Sequence, residues 1–143
     1  MEYEQKLAWL RRYLDSQKVE RELAQELEQL RSQAERITPV LSATPGGGGN
    51  GQQLPAIVER IEEIRAKITE RIEQGLKART EIAVVIDQLT DAQELAIMRR
   101  RYLLGQRWGE ISQEMNLDKR WVTRLHRRAV RKLEVKGNSE IRP

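Results

Sequence analysis

Residues 101–133 read RYLLGQRWGEISQEMNLDKRWVTRLHRRAVRKL, and this stretch decides the fold expected for the C-terminal part of the chain. When Trp108 is taken as the first position of the motif, apolar residues fall where two crossed helices bury side chains between them. The small residue Ser112 falls where such helices approach each other closely. The spacing therefore predicts a helix-turn-helix. Its expected core residues are Ile111, Ser112, Met115, Leu117, Val122 and Leu125.

The link between the two helices carries the residue types that a tight turn needs. Asn116 is one of the few non-glycine residues that tolerate the left-handed conformation, which often ends a helix. Asp118 follows, and we expect its carboxylate to cap the second helix by accepting protons from the amides of the first turn. These two positions place the boundary between the helices at 116–118.

The large ring side chains of this segment are expected to pack. Trp108 is expected to pack, and contact with the DNA backbone is the alternative. Trp121 is expected to cover the small core, and stacking of its ring on a DNA sugar is the alternative. His126, the one histidine of the chain, has no partner residues for a metal site or a catalytic triad. We therefore expect it either to pack on a helix face or to contact phosphate.

The composition of the 143-residue chain favours long helices with extensive solvent contact. Charged residues make up 34% and aromatic residues 4%, and the absence of Cys excludes disulfides and thiolate metal sites. The acidic start MEYEQKLAWL is unlike a secretory signal, and no apolar run approaches the ~20 residues of a membrane span. We therefore expect a soluble protein of the bacterial cytoplasm that does not contact a membrane.

Charge is distributed unevenly along the chain, although the net charge is only +4. Residues 1–91 contain 13 Lys and Arg against 16 Asp and Glu, a net charge of −3. Residues 92–143 contain 13 against 6, a net charge of +7. The basic excess coincides with the helix-turn-helix, where a polyanion would have to bind.

The apolar pattern divides the remainder of the chain into long helices and a linker. Residues 1–37 are expected to form a long helix, with a bend or break at 15–17, where the apolar stripe changes phase. Residues 38–55 contain three prolines and the run GGGGNG, and are expected to be a flexible linker. Residues 56–89 are expected to form a second long helix. Residues 90–136 would then form the helix-turn-helix domain, followed by a disordered tail at 137–143.

Each long helix has a narrow, heptad-like apolar stripe that it cannot bury alone. The linker is long enough to turn the chain back, so the two helices are expected to pair antiparallel. The expected fold is all-α, with a long coiled-coil-like hairpin followed by a small helix-turn-helix domain. Because such a hairpin leaves apolar edges open, we expect a homo-oligomer, with a dimer favoured. The alternative is a monomer whose hairpin packs against its own C-terminal domain.

A shorter helix is predicted between the hairpin and the motif. Thr90 and Asp91 have Gln93 and Glu94 three residues beyond them, which is the spacing of a capping box. The helix is expected to run over residues 91–104 and to end at Gly105. Its inward-facing residues are expected to be Leu95, Met98, Tyr102 and Leu103.

The second helix of the motif carries the residues expected to bind DNA. In this type of motif the first turns of the second helix enter the major groove, where Arg and Lys suit guanine and a Thr methyl group suits thymine. The predicted base-contacting residues are Lys119, Arg120, Thr123 and Arg124. The predicted phosphate-contacting residues are Arg107, Arg127, Arg128, Arg131 and Lys132.

Nothing in the sequence indicates an enzyme, a cofactor or a metal site. The glycine run GGGGNG lacks the Lys-Ser/Thr pair that completes a phosphate-binding loop, and no strand flanks it. The many Glu residues lie on helix surfaces at spacings that suit pairing with Arg and Lys four residues away. We therefore expect neither catalytic residues nor metal ligands.

The C-terminal segment resembles region 4 of bacterial sigma factors, the part that reads promoter DNA. The matching residues are Arg101, Tyr102, Trp108, Glu110, Ile111, Val122 and the run RAVRKL at 128–133. The whole chain looks still more like a group of small phage and prophage proteins near the ArpU/RinA-type late transcriptional regulators. By this resemblance the base-reading side chains would again be Lys119, Arg120, Thr123 and Arg124.

The chain departs from sigma factors in two respects. It has no segment resembling region 2, which opens promoter DNA, so the resemblance does not imply a complete sigma factor. Its turn reads Met-Asn-Leu-Asp, where sigma factors usually have a Leu-Gly-Ile-Ser type of sequence. The turn geometry is therefore expected to differ slightly.

The residues and the resemblance together predict a sequence-specific transcriptional regulator of phage or prophage origin. Its partners would be double-stranded DNA, further copies of itself and RNA polymerase. One alternative is a packaging-type DNA binder similar to a small terminase subunit. The other is a protein-interaction module that contacts RNA polymerase without binding DNA.

Overall fold

The computed structural model describes residues 1–43 and 53–136, and the regular secondary structure of these residues is entirely helical. The helices are α1 (Tyr3–Leu10), α2 (Arg12–Ala43), α3 (Gln53–Ile86), α4 (Ala92–Tyr102), α5 (Trp108–Met115) and α6 (Lys119–Lys132). The predicted all-α class is confirmed. Among the described residues, no helix combines the length and the apolar character needed to cross a bilayer.

The chain forms two compact units. Within the described residues, the two-helix unit comprises residues 16–43 and 53–74, and the core unit comprises residues 1–15 together with residues 75–136. In the two-helix unit, α2 and α3 pair as predicted. The Ser16 hydroxyl donates to the Arg71 carbonyl at 3.0 Å, and the Arg60 guanidinium forms an ion pair with the Glu26 carboxylate at 3.0 Å. Ser16 on α2 contacts Arg71 on α3, whereas the later α2 residue Glu26 contacts the earlier α3 residue Arg60. The two helices therefore run antiparallel.

For the predicted first helix, the expected position of the interruption and the expected end are both wrong. The interruption lies at Arg11, between α1 and α2, and not at 15–17. The change of phase at 15–17 instead reflects a change of surroundings, since Leu7 and Leu10 are buried in the core unit whereas Leu23 is half-buried in the two-helix unit. α2 also continues to Ala43.

The helix boundaries around the predicted linker differ from those expected. α2 passes through Pro39, which removes one amide donor from a helix without always ending it. α3 begins at Gln53, so Pro55 lies in its first turn, and it ends at Ile86 before a tighter turn in which the amide of Leu89 bonds the carbonyl of Ile86 at 3.0 Å. The rest of the predicted linker, residues 44–52, and the predicted tail at 137–143 lie outside the described residues.

The core unit contains two clusters of buried apolar side chains. The larger joins α1, the end of α3, α4 and the end of α6, and its fully buried members include Leu10, Ile82, Ile86 and Met98. The smaller cluster lies where α4, α5 and α6 meet. It consists of Ile97, Ile111, Val122 and Leu125, with Trp108, Met115 and Leu117 partly buried at its edge. The apolar residues predicted for the motif core therefore all pack together.

α4 contributes to both clusters, which the sequence did not predict. Met98 and Tyr102 lie in the larger cluster, whereas their neighbour Ile97 lies in the smaller one. The predicted inward set omitted Ile97 because it assumed a single apolar face. The helix is capped as expected at Asp91, whose carboxylate accepts from the amide of Glu94 at 2.9 Å. It ends at Tyr102, and Gly105 follows in a left-handed conformation with φ of 70°.

The turn between α5 and α6 has the predicted backbone at Asn116, which is left-handed with φ of 52° and ψ of 48°. The Ser112 hydroxyl donates to the Leu117 carbonyl across this turn. The predicted cap by Asp118 is wrong in part. Asp118 occupies the N-cap position, but its side chain makes no capping hydrogen bond. Because Asp118 and Lys119 are exposed, water can satisfy the first amides of α6 instead.

Candidate nucleic-acid interface

α6 is divided lengthwise into an apolar side and a basic side. Its 14 residues, KRWVTRLHRRAVRK, include seven Lys and Arg and no Asp or Glu. Since α6 contains several charged groups that are costly to desolvate, only one side of it can pack against the core. That side consists of Val122, Leu125, His126, Ala129 and Val130, which are all buried.

The four predicted base-contacting residues share the exposed side of the first two turns of α6. Lys119, Arg120 and Arg124 are exposed, and none has an ion-pair partner among the described residues. The Thr123 hydroxyl donates to the carbonyl of Lys119 at 3.0 Å. Its proton is therefore used within the helix, which leaves the methyl group for any external contact.

The five predicted phosphate-contacting residues fall into two groups. Arg107, Arg127 and Arg131 are exposed and have no ion-pair partner within the described part of the chain. Arg128 and Lys132 instead face Glu94 on α4. The Lys132 ammonium lies 2.6 Å from one oxygen of this carboxylate, and Arg128 Nε lies 3.8 Å from the other. These two cations have an internal role that the sequence did not predict.

Glu94 is the polar group on which α4 and α6 converge. Its side chain is 0% exposed. The sequence placed Glu94 in a capping box, but only half of that arrangement forms, because its carboxylate bonds Lys132 and not the helix start. A signal was available in the sequence, since Glu94 lies three and four residues before the buried pair Ile97 and Met98 and so shares their helix face.

The predicted role of Trp121 as a cover for the small core is wrong. The ring is 38% exposed and belongs to neither core cluster of the described residues. It borders an open depression of about 400 Å³ on the basic side of α6. The other residues lining this depression are Thr123, Arg124, Arg127, Arg128 and Arg131. The prediction placed the ring inward because Trp121 directly precedes Val122, which does face the core.

His126 is a packed residue, and the alternative that it contacts phosphate is wrong. It is buried, its Nε2 lies 2.7 Å from the Tyr102 hydroxyl, and the Trp108 ring meets it edge to face at 4.7 Å. Trp108 packs against the small cluster as predicted and is half-buried, and the Arg101 guanidinium lies over its ring at 4.7 Å. This group fixes the inward side of α6 against α4 and α5.

The electrostatics of this group favour neutral side chains. Burial lowers the pKa of His126 to about 4, with smaller contributions from the positive charges of Arg101, Arg11 and Arg127. Burial likewise raises the pKa of Tyr102 to about 12, although Arg11 and Arg101 oppose it. Near neutral pH the Tyr102 hydroxyl can therefore donate to an unprotonated Nε2.

Comparisons with family models, curated proteins and solved structures find no match to this chain. The resemblance to sigma region 4 and to the phage regulators therefore remains an expectation from the sequence. Among the described residues, no group of three or more His, Asp or Glu side chains could hold a metal ion. The chemistry of the surface rests on the cations and the aromatic ring of α6.

The lowered pKa of His126 predicts a specific loss of stability in mild acid. Between about pH 6.5 and pH 4 the unfolded chain binds a proton at His126 and the folded chain does not. The free energy of unfolding should therefore fall as the pH falls through this window, by at most about 1.4 kcal/mol per pH unit for this one proton. Urea denaturation across the window, with His126→Gln as the matched variant, measures this slope.

The variant should lack this part of the pH dependence, whereas the contribution of the carboxylates should be common to both proteins. NMR titration of the ring protons of His126 measures its pKa directly. A value near 6.5 in the folded protein would contradict the buried, neutral assignment.

The pairing of Lys132 with Glu94 predicts that Lys132 stabilises the fold. Lys132→Met should lower the free energy of unfolding by about 1–3 kcal/mol, because it removes the nearest partner of a buried carboxylate. Arg131→Met is the control, since it removes a neighbouring exposed cation without an ion pair, and should change stability by less than about 0.5 kcal/mol. Equal stability of the two variants in urea denaturation would exclude this role.

Proposed function

We propose that this protein binds double-stranded DNA with sequence specificity, through a helix-turn-helix formed by α5 and α6, and regulates transcription. The observation that carries the proposal is the basic side of α6. Its first two turns hold exposed cations without ion-pair partners among the described residues, while the opposite side is fixed in the core. The tight turn at Asn116 between two helices that share one small apolar cluster fits such a motif.

The proposed mode of binding assigns different roles to the two ends of α6. Lys119, Arg120, Thr123 and Arg124 would enter the major groove, where Arg can bond guanine through two hydrogen bonds and a methyl group can contact thymine. Arg127, Arg131 and Arg107 would bond phosphates and set the orientation of the helix. Arg128 and Lys132 contribute positive charge near the surface but are held by Glu94.

The biological setting follows from the sequence resemblance. A regulator of phage or prophage origin, acting beside RNA polymerase, fits a small chain with one DNA-binding motif and a separate helical region. The packaging-type DNA binder remains as a second proposal, since it would use the same α6 surface. The two proposals differ in oligomeric state, since the regulator would be a dimer and the packaging-type binder a ring of many subunits.

The two-helix unit is the proposed site of self-association. Val58 and Ile72 on α3 are 47% and 41% exposed, although they lie on the same apolar stripe as the buried residues Ile61 and Ile64. A second copy could cover these side chains. Light scattering should give a dimer if the protein is the proposed regulator, whereas a ring of many subunits would favour the packaging role. A strict monomer at micromolar concentration would contradict self-association.

The DNA-binding proposal is tested by selecting bound sequences from random duplex DNA and measuring affinity for the selected site. Arg120→Ala and Arg124→Ala should each weaken binding by about 1–3 kcal/mol, since each removes a base contact. Arg31→Ala, an exposed arginine of α2 without an ion pair among the described residues, is the control and should bind normally. Binding should also weaken steeply with salt, because phosphate contacts release counterions.

Arg124→Lys separates base reading from general charge attraction. It keeps the positive charge but loses the paired donors that suit guanine, so preference for the selected site should fall while binding to unrelated DNA persists. Equal affinity of the native protein for all duplexes would refute sequence-specific recognition. Unchanged binding by both alanine variants would contradict recognition through α6, whereas a native protein that binds no duplex would favour a protein-interaction module.

A further inference from the structure

We infer that Trp121 is a further specificity-determining residue of this surface, and that its exposed ring contacts the 5-methyl group of a thymine in the major groove. The inference rests on the DNA-binding proposal above. It adds a residue outside the predicted base-contacting set and names the chemical group that this residue reads.

Trp121 differs from the other tryptophans in what covers its ring. The guanidinium of Arg12 lies over Trp9 at 4.6 Å, and that of Arg101 lies over Trp108 at 4.7 Å. Both of these rings are also half-buried against core clusters. Among the described residues, no guanidinium lies over Trp121 and no aromatic ring packs on it, although arginines follow it at positions 124 and 128.

The position of Trp121 places the ring where base edges would lie. It is the third residue of α6, between Arg120 and Thr123 in sequence, and one helical turn before Arg124. The ring borders the depression of about 400 Å³ that Thr123, Arg124 and Arg127 also line. A duplex that reaches Arg120 and Arg124 therefore also meets Trp121.

The chemistry of this surface selects the group that the ring would contact. The surrounding cations require an anionic partner. The exposed indole is stabilised most by contact with an apolar group, because the apolar surfaces of both then leave water. Duplex DNA supplies both, because its backbone is anionic and the thymine methyl is an apolar group displayed in the major groove. A phosphate would satisfy the arginines alone and would leave the indole ring without an apolar contact.

Replacement of thymine by deoxyuridine tests the inference, because the two bases differ by that methyl group alone. Each thymine of the selected site is replaced in turn, and the affinity of the native protein is measured. At least one position should lose about fourfold in affinity, which corresponds to the burial of one methyl group. Trp121→Ala should bind the selected site more weakly and should no longer distinguish thymine from deoxyuridine at that position.

Thr123→Ser is the matched control, because it removes the other methyl group that could contact thymine. It should keep the sensitivity that depends on Trp121. If the sensitivity survives in Trp121→Ala and disappears in Thr123→Ser, the methyl contact belongs to Thr123 and the inference is overturned.

A selected site without any position sensitive to deoxyuridine also overturns the inference, while its selection leaves DNA recognition intact. If no duplex is preferred at all, the DNA-binding proposal fails first and the role of Trp121 fails with it. Because the measurement on the native protein needs no variant, the result does not depend on whether Trp121→Ala folds.

Discussion

The burial of one side of α6 is the interaction on which the rest of the core unit depends. Val122 and Leu125 close the small cluster with Ile97 and Ile111, and each such side chain contributes about 1.5–3 kcal/mol when it leaves water. Rotating α6 to bury arginine instead would cost several kcal/mol for each unpaired charge. Only one orientation about the helix axis is therefore favourable, and it turns Arg120, Arg124 and Arg127 outward.

The charges of α6 are partly compensated at its C-terminal end and uncompensated at its N-terminal end. Glu94 pairs with Lys132 and lies near Arg128, so the C-terminal half has an internal counter-charge. At the N-terminal half, Lys119, Arg120 and Arg124 have no ion-pair partner among the described residues, and the positive end of the helix dipole adds to their field. An anion is therefore attracted to the first turns, which are also the turns that the proposed mode of binding places in the groove.

Local patterns in the sequence predicted much of this arrangement. The 3.6-residue period of apolar residues located the helices and the motif core, and Asn116 located the turn because few residues adopt its backbone conformation. Two features depended on packing between distant segments. The burial of Glu94 requires Lys132, which lies 38 residues away, and the exposure of Trp121 requires the small cluster to close without it. The continuation of α2 through Pro39 likewise could not be predicted from residue type alone.

Cleavage of DNA from a single tethered point tests most directly whether the first turns of α6 face the duplex. The chain has no cysteine, so Thr123→Cys provides one attachment point for a hydroxyl-radical reagent, and Thr69→Cys, exposed on α3, provides the control. The account predicts cleavage from position 123 centred on the major groove of the selected site, and little from position 69. Strong cleavage from position 69, with none from position 123, would contradict the central claim that α6 is the DNA-binding surface.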